Sequence, residues 1–206
     1  FRNAIEINSF SSISSHKKKD EIKKKYSIPE NCKIIGHIGR FTEAKNHKRI
    51  VEVFKTIIEI DEKFILILIG EGPLKEEVQE YVQKIPSLKG KVIFCGLISD
   101  IYNIIKIFDV LLMPSLYEGI PVTLIEAQAA GVPCIVSNSV SNEVDIGLGL
   151  IDFISLESSN VEWANKVIDK AGHRREDFLE IREKLINHGY SIDKNIETLY
   201  NIYDIK

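Results

Sequence analysis

The fold is decided by the stretch VLLMPSLYEGIPVTLIEAQAAGVPCIVS, residues 110–137. It contains two short apolar runs, Val110–Met113 and Cys134–Ser137, on either side of a segment of helical period, Pro121–Ala130. Runs that are apolar throughout are typical of parallel strands covered on both faces. Because parallel neighbours require a crossover, this stretch predicts a strand–helix–strand unit.

The same alternation extends in both directions along the chain. Further strands are predicted at Lys33–Ile38, Phe64–Ile69, Val92–Cys95 and Leu150–Ile154. Six strands separated by helices predict an α/β fold, a doubly wound, mostly parallel six-stranded sheet of Rossmann-like type with helices on both faces. Residues 1–32 are expected to be an irregular lead-in derived from a linker, and residues 33–206 the Rossmann-like domain with its C-terminal helices.

Composition narrows the class of protein. The chain has 206 residues, with 27 basic and 30 acidic side chains and a net charge of −3. Near-neutral charge argues against a nucleic-acid binder, which usually carries a basic excess. Three separated cysteines in apolar runs are typical of reduced thiols in a cytoplasmic protein. The sequence has no apolar stretch of the roughly 18–20 residues that a membrane span requires.

The first strand is followed by residues that suit an anion. In parallel sheets, ligands bind beyond the carboxyl ends of the strands. Gly39 would let a ligand approach the backbone closely. The guanidinium of Arg40 and the ammonium of Lys45 follow in the same loop and together suit a diphosphate. On these residues alone, two solvated surface cations remain an alternative.

The second strand runs into Gly70-Glu71-Gly72-Pro73, a turn between strand and helix. This turn resembles part of a nucleotide-binding glycine loop. It lacks the full dinucleotide fingerprint and the phosphate-loop lysine. Taken alone, these residues favour a tight strand-to-helix turn over a nucleotide-binding loop.

The helix after the fourth strand carries the most informative residues. The fixed φ of Pro121 suits the first helical turn, so the N–H groups of Val122, Thr123 and Leu124 are expected to form an anion site. Glu126 follows in an apolar sequence, where a carboxylate needs donors. Ligand hydroxyls or neighbouring backbone groups are both open as its partners.

The histidines and acidic residues show no metal-ligand pattern. His37, His47, His173 and His188 lack the spacing of ligands, and no Asp/Glu cluster suits magnesium. We therefore expect these histidines to be structural or exposed, and no metal site.

The order and spacing of these motifs resemble the retaining glycosyltransferases of family 4. The motifs are Gly39-Arg40 with Lys45, the turn 70–73, and Glu118 followed by Glu126. Residues 127–137 are similar to members that build bacterial capsular or exopolysaccharide. The resemblance implies the GT-B fold, in which two Rossmann-like domains face each other across a cleft. It further implies that this chain is the C-terminal, donor-binding domain, inactive without the acceptor-binding domain that would precede Phe1.

The resemblance also implies roles for individual residues. Arg40, Lys45 and Glu118 are expected to be catalytic, the first two at the leaving diphosphate and Glu118 at the transferred sugar. Glu126 is expected to accept hydrogen bonds from the ribose hydroxyls. The residues implied to bind the donor are Gly39, Arg40, Lys45, Gly70, Leu97, Gly119, Val122, Thr123 and Glu126.

The implied reaction is transfer of a hexose from a UDP-sugar, with retention and without a metal or other cofactor. The acceptor would be a glycan or a lipid-linked sugar in polysaccharide biosynthesis, at the cytoplasmic face of the plasma membrane. Two other classes remain open: half of a non-hydrolysing sugar-nucleotide epimerase, and a non-catalytic domain that binds a nucleotide sugar.

Overall fold

The computed structural model describes residues 3–11 and 16–203, and these residues contain one six-stranded parallel sheet. The strand order is β3-β2-β1-β4-β5-β6. The strands are β1 Lys33–Ile38, β2 Phe64–Ile69, β3 Val92–Gly96, β4 Val110–Met113, β5 Cys134–Ser137 and β6 Ile151–Ile154. These bounds agree with the predicted strands to within one residue, and the predicted fold class is confirmed.

Helices cover both faces of the sheet in the described part of the chain. The helices are α1 Asn8–Ser11, α2 His16–Lys25, α3 His47–Ile60, α4 Lys75–Gln83, α5 Ile101–Ile105, α6 Val122–Ala129, α7 Asn160–Lys170, α8 Phe178–Asn187 and α9 Ile192–Ile202. The apolar side chains of α3, α4 and α7 pack on one face, and those of α5, α6 and α8 pack on the other.

Alternation along each strand produces these two cores. In β2 every residue is buried, because Ile65, Ile67 and Ile69 enter one cluster while Leu66 and Leu68 enter the other. Side chains of a strand point alternately to opposite faces, so a continuous apolar run satisfies both layers. This is the physical reason that runs such as FILILI predicted the sheet.

The lead-in is more regular than expected. It forms the helices α1 and α2. Four of its side chains are buried in the core on the face of the sheet that α5, α6 and α8 cover, namely Ile5, Ile7, Phe10 and Ile28. The Ile5 amide donates to the Tyr190 carbonyl at 2.9 Å. The serine content had indicated irregular chain, but burial of these apolar residues, which lie within and on either side of the serine-rich stretch, outweighs that local tendency.

The strand order places a topological switch point between β1 and β4. From β1 the chain winds outward through β2 and β3, and it then returns to β4 on the other side of β1. The loops that follow β1 and β4 therefore diverge at their carboxyl ends and leave a crevice, which is where doubly wound sheets bind ligands. Gly39 and Pro114 begin these two loops.

Candidate functional site

Hydrogen bonds join the loop after β1 to the turn after β2. The Gly39 amide donates to the Ile69 carbonyl at 2.9 Å, and the Phe41 amide donates to the Glu71 carbonyl at 3.0 Å. Gly70 lies in this seam with φ +141°, and a Cβ there would come within 2.1 Å of the Gly39 carbonyl oxygen. The turn 70–73 thus holds in place the loop after β1, residues 39–46, which is called the Arg40 loop below.

A second set of bonds joins the loop after β1 to the loop after β4. The Leu116 amide donates to the Ala44 carbonyl at 2.8 Å, and Asn46 Nδ2 donates to the Pro114 carbonyl at 3.1 Å. Asn46 adopts the left-handed conformation, φ 53° and ψ 48°, which asparagine tolerates better than most side chains. The two loops that border the crevice are therefore joined to each other by hydrogen bonds.

Lys45 and Glu118 form an ion pair across the crevice. The Lys45 Nζ atom binds Glu118 Oε1, and the two side chains are only 18% and 16% exposed. The structure thus brings together two of the three predicted catalytic residues, which lie 73 positions apart in the chain. Arg40 lies on the same loop, and its exposed guanidinium forms no ion pair with the described residues.

Helix α6 begins at the crevice without a side-chain cap. Its N-cap residue is Pro121, one position earlier than the first-turn place that the sequence predicted. The Leu124 amide, which we expected to be free, donates to the Pro121 carbonyl at 3.0 Å, so that expectation was wrong. The amides of Val122 and Thr123 remain at the helix start, where the helix dipole favours an anion.

Glu126 lies just over one turn into α6 and is half-buried. Its carboxylate has no hydrogen bond or ion pair within residues 3–11 and 16–203. Burial raises the pKa of this carboxyl group above its ordinary value. In the described residues no backbone N–H donates to the Glu126 carboxylate, so the alternative of neighbouring backbone partners is not what we find. Its oxygens are available to a donor from a ligand.

The remaining predicted donor-binding residues lie at the same edge, without contacts that fix a role. Leu97 follows β3 and is 81% exposed, two strands from Gly39. That position is about 10 Å away at the usual strand spacing. Gly119 is exposed, and a Cβ there would meet no atom within 4 Å.

Two histidines beneath the Arg40 loop were not predicted as part of the site. His37 and His47 are buried with their ring centroids 4.8 Å apart, and the His47 ring stacks on Phe41 at 3.9 Å. The sequence assigned both to structural or exposed positions. For His37 the signal was the alternation of β1, which turns this residue toward the same face as Ile35. His47 lies at the start of α3, and the strand pattern does not apply to it.

Burial keeps both histidines neutral. It lowers the pKa of His37 to about 4 and that of His47 to about 2, and the Lys45 ammonium adds to the lowering in each case. An unfolded histidine titrates near 6.5. Below that pH the unfolded chain binds protons that the folded chain does not, so the stabilising contribution is complete above pH 6.5 and is lost as the pH falls toward 4.

We therefore expect acid to destabilise the chain through these two residues. Between pH 6.5 and pH 5 the free energy of unfolding should fall by about 1.6 kcal/mol for each buried histidine. Urea unfolding at the two pH values measures this fall. His47→Phe keeps a ring against Phe41 and should reduce the fall by the contribution of one histidine. His173→Gln, at an exposed position, is the matched control. Equal falls in the wild type and His47→Phe would contradict the assignment.

Within residues 3–11 and 16–203, no three or more His, Cys, Asp or Glu side chains are grouped so that they could bind a metal ion. Among the helices of the described ranges, none has both the length and the apolar character that crossing a bilayer demands.

The sequence is similar to those of known glycosyltransferases. The family model "Glycosyl transferases group 1" matches residues 18–192. EpsF of Bacillus subtilis (strain 168), assigned as a glycosyltransferase, is 40% identical over 186 residues, which are 90% of this chain and 48% of EpsF. The Escherichia coli UDP-Gal:alpha-D-GlcNAc-diphosphoundecaprenol alpha-1,3-galactosyltransferase is 28% identical, over 90% of this chain and 49% of that protein. The chain thus spans about half the length of these relatives.

Solved structures have the same fold. Anabaena Alr3699/HepE, determined in complex with UDP, superposes with a TM-score of 0.74 at 17% identity, over 96% of this chain and 56% of that one. The C-terminal domain of the group 1 glycosyl transferase LpcC from Francisella tularensis superposes with a TM-score of 0.70 at 19% identity, over 92% of this chain and 100% of that one. Since the family model covers most of a chain whose motifs meet at the switch point, the chain belongs to the group 1 glycosyltransferases, a family of GT-B type.

Proposed function

We propose that this chain is the C-terminal, donor-binding domain of a retaining family 4 glycosyltransferase and that it binds a UDP-sugar. The switch-point crevice supports this proposal, because cations, helix amides and an unpartnered carboxylate meet there. HepE was determined with UDP, and the E. coli relative is named for a UDP-galactose donor. The same nucleotide is therefore the first ligand to test here.

The diphosphate would lie between the Arg40 loop and the start of α6. Lys45 and Arg40 would neutralise the charge that develops on the leaving UDP, and the amides of Val122 and Thr123 would add fixed dipoles. Donors already held in place lower the barrier because they need little reorganisation during the reaction. We propose that this arrangement needs no metal ion. Glu118 would contact the hydroxyls of the transferred sugar.

Glu126 is the observation that carries the proposal. The Glu126 carboxylate has no donor among the described residues, and partial burial raises its pKa. The two ribose hydroxyls of a nucleotide would supply the missing donors. Phosphates at the α6 start and a ribose one turn farther along fit the length of a nucleoside diphosphate.

The rest of the reaction belongs to the whole protein. The acceptor hydroxyl would come from a glycan or a lipid-linked sugar bound by a second domain and would attack on the face from which UDP departs. Such an enzyme would contribute to capsular or exopolysaccharide synthesis at the cytoplasmic face of the membrane. By this account the present domain alone binds the donor and transfers nothing.

Calorimetric titration with UDP, GDP and ADP tests the donor site. We expect UDP to bind with a dissociation constant of about 10–100 μM, and more tightly than GDP or ADP. Glu126→Ala should weaken UDP binding by about ten- to a hundredfold, the range for hydrogen bonds to a charged group. Glu59→Ala, at an exposed position near the end of α3, is the matched control and should bind UDP as the wild type does.

Two outcomes would contradict the proposal. If none of the three nucleotides binds, the crevice is not a donor site in this chain. If EDTA abolishes UDP binding, the metal-independent part of the proposal is wrong. We expect the same affinity with and without EDTA.

A further inference from the structure

His37 contains a buried hydrogen-bond acceptor that the fold leaves unused. Its Nδ1 atom lies 2.9 Å from the Leu112 carbonyl oxygen, and because a carbonyl only accepts, Nδ1 must carry the proton. Nε2 of the neutral ring is then a bare lone pair. This atom is buried and has no hydrogen-bond partner among the described residues. Most buried polar atoms are paired, so an unpaired one calls for a reason.

The unused lone pair and the Lys45 side chain border the same small space. A Cβ added to Gly39 would lie 3.0 Å from His37 Nε2 and 3.2 Å from both Cδ and Cε of Lys45. A side chain at position 39 would crowd both the imidazole and the lysine stem, so glycine suits this place. The ammonium nitrogen of Lys45 is one bond beyond Cε. This ammonium has three N–H donors, and the ion pair with Glu118 occupies only some of them.

The rings of His47 and Phe41 pack beside the His37 imidazole and hold its orientation. The His47 ring contacts His37 edge to face, with an interplanar angle of 82°, and itself stacks on Phe41. Among the described residues, the ammonium of Lys45 acts electrostatically on both rings, and its own ion-pair partner is Glu118. Burial and this ammonium lower the pKa of His37 to about 4, so Nε2 stays an acceptor at neutral pH.

We propose that His37 is a positioning residue for Lys45, and that its Nε2 accepts a hydrogen bond from the Lys45 ammonium once a nucleoside diphosphate draws that ammonium away from Glu118. This inference rests on the proposed function. In the free chain Glu118 holds the ammonium. In the bound chain the phosphate takes one N–H donor, and His37 fixes the direction of another.

Paired substitutions separate positioning from mere packing. His37→Asn retains a donor for the Leu112 carbonyl but lacks the Nε2 acceptor, whereas His37→Gln places an amide oxygen near the Nε2 position. We expect His37→Asn to weaken UDP binding to this chain by about tenfold, the lower range for a charge-assisted bond, and His37→Gln to restore most of the affinity. Uridine, which has no phosphate, should bind all three proteins equally, because a general structural defect would weaken both ligands.

A spectroscopic measurement on the wild type covers the case in which a variant fails to fold. UDP should move the ¹⁵N resonance of His37 Nε2 upfield, as a new hydrogen bond to a bare imidazole nitrogen does, and uridine should not. An unmoved resonance with normal UDP binding would overturn the role of His37 and leave the donor site intact. Absence of UDP binding to the wild type would overturn the proposed function and this inference together.

Discussion

Lys45→Ala is expected to weaken UDP binding by about 2–4 kcal/mol, roughly thirty- to a thousandfold. The variant loses a charge-assisted hydrogen bond to the diphosphate. It also leaves the Glu118 carboxylate, only 16% exposed, without its cation and facing the incoming phosphates. Both effects act against the anion, so this substitution should weaken binding more than any other single change in the crevice. Calorimetry with UDP measures the loss.

The contribution of Glu118 can be isolated with a double variant. Lys45→Ala/Glu118→Ala removes the stranded carboxylate and should regain part of the lost affinity. Lys63→Ala is the matched control, because Lys63 precedes β2 at the opposite edge of the sheet. Wild-type affinity in Lys45→Ala would remove this residue from the diphosphate site.

Gly70→Ala is expected to destabilise the fold by at least about 3 kcal/mol. Its φ of +141° is unfavourable for alanine, and the added methyl group would come within 2.1 Å of the Gly39 carbonyl oxygen. Backbone cannot rotate away as a flexible side chain can, so the seam between the β1 loop and the β2 turn must open. Urea unfolding reports the loss, and any folded fraction should bind UDP poorly.

Gly90→Ala separates the two causes. Gly90 also has a positive φ, +72°, but nothing lies within 4 Å of its Cβ position. Gly90→Ala should therefore lower the free energy of unfolding by about 1 kcal/mol, the penalty that alanine has at a positive φ. If both variants are destabilised equally, close packing at Gly70 is not the reason that glycine occurs there.

The sheet could be predicted from the sequence because its signal is local. A run such as Phe64–Ile69 is apolar at every position, and only a strand buried on both faces uses such a run fully. Once six parallel strands are inferred, their carboxyl ends must share an edge. This geometry brought Lys45 and Glu118 into one crevice, although no local pattern relates them.

Side-chain packing beneath that edge could not be predicted in the same way. Whether His37 is a core residue or part of the site depends on Gly39 and Lys45, which meet it only after the loop folds back. The left-handed Asn46 likewise depends on its bond to Pro114 in another loop. The start of α6 differed by one residue, because local preference places proline in a helix's first turn and not uniquely at one position.

The most direct test of the central claim is to follow the backbone amide resonances of this chain during titration with UDP. The account predicts saturable shifts concentrated in the loop 39–46, in the turn 70–73 and around residues 118–126, with smaller shifts near Leu97. Shifts confined to another part of the surface, such as the cavity lined by residues 148–150 and 173–177 at the opposite end of the sheet, would contradict it. Spectra unchanged at millimolar UDP would contradict it as well.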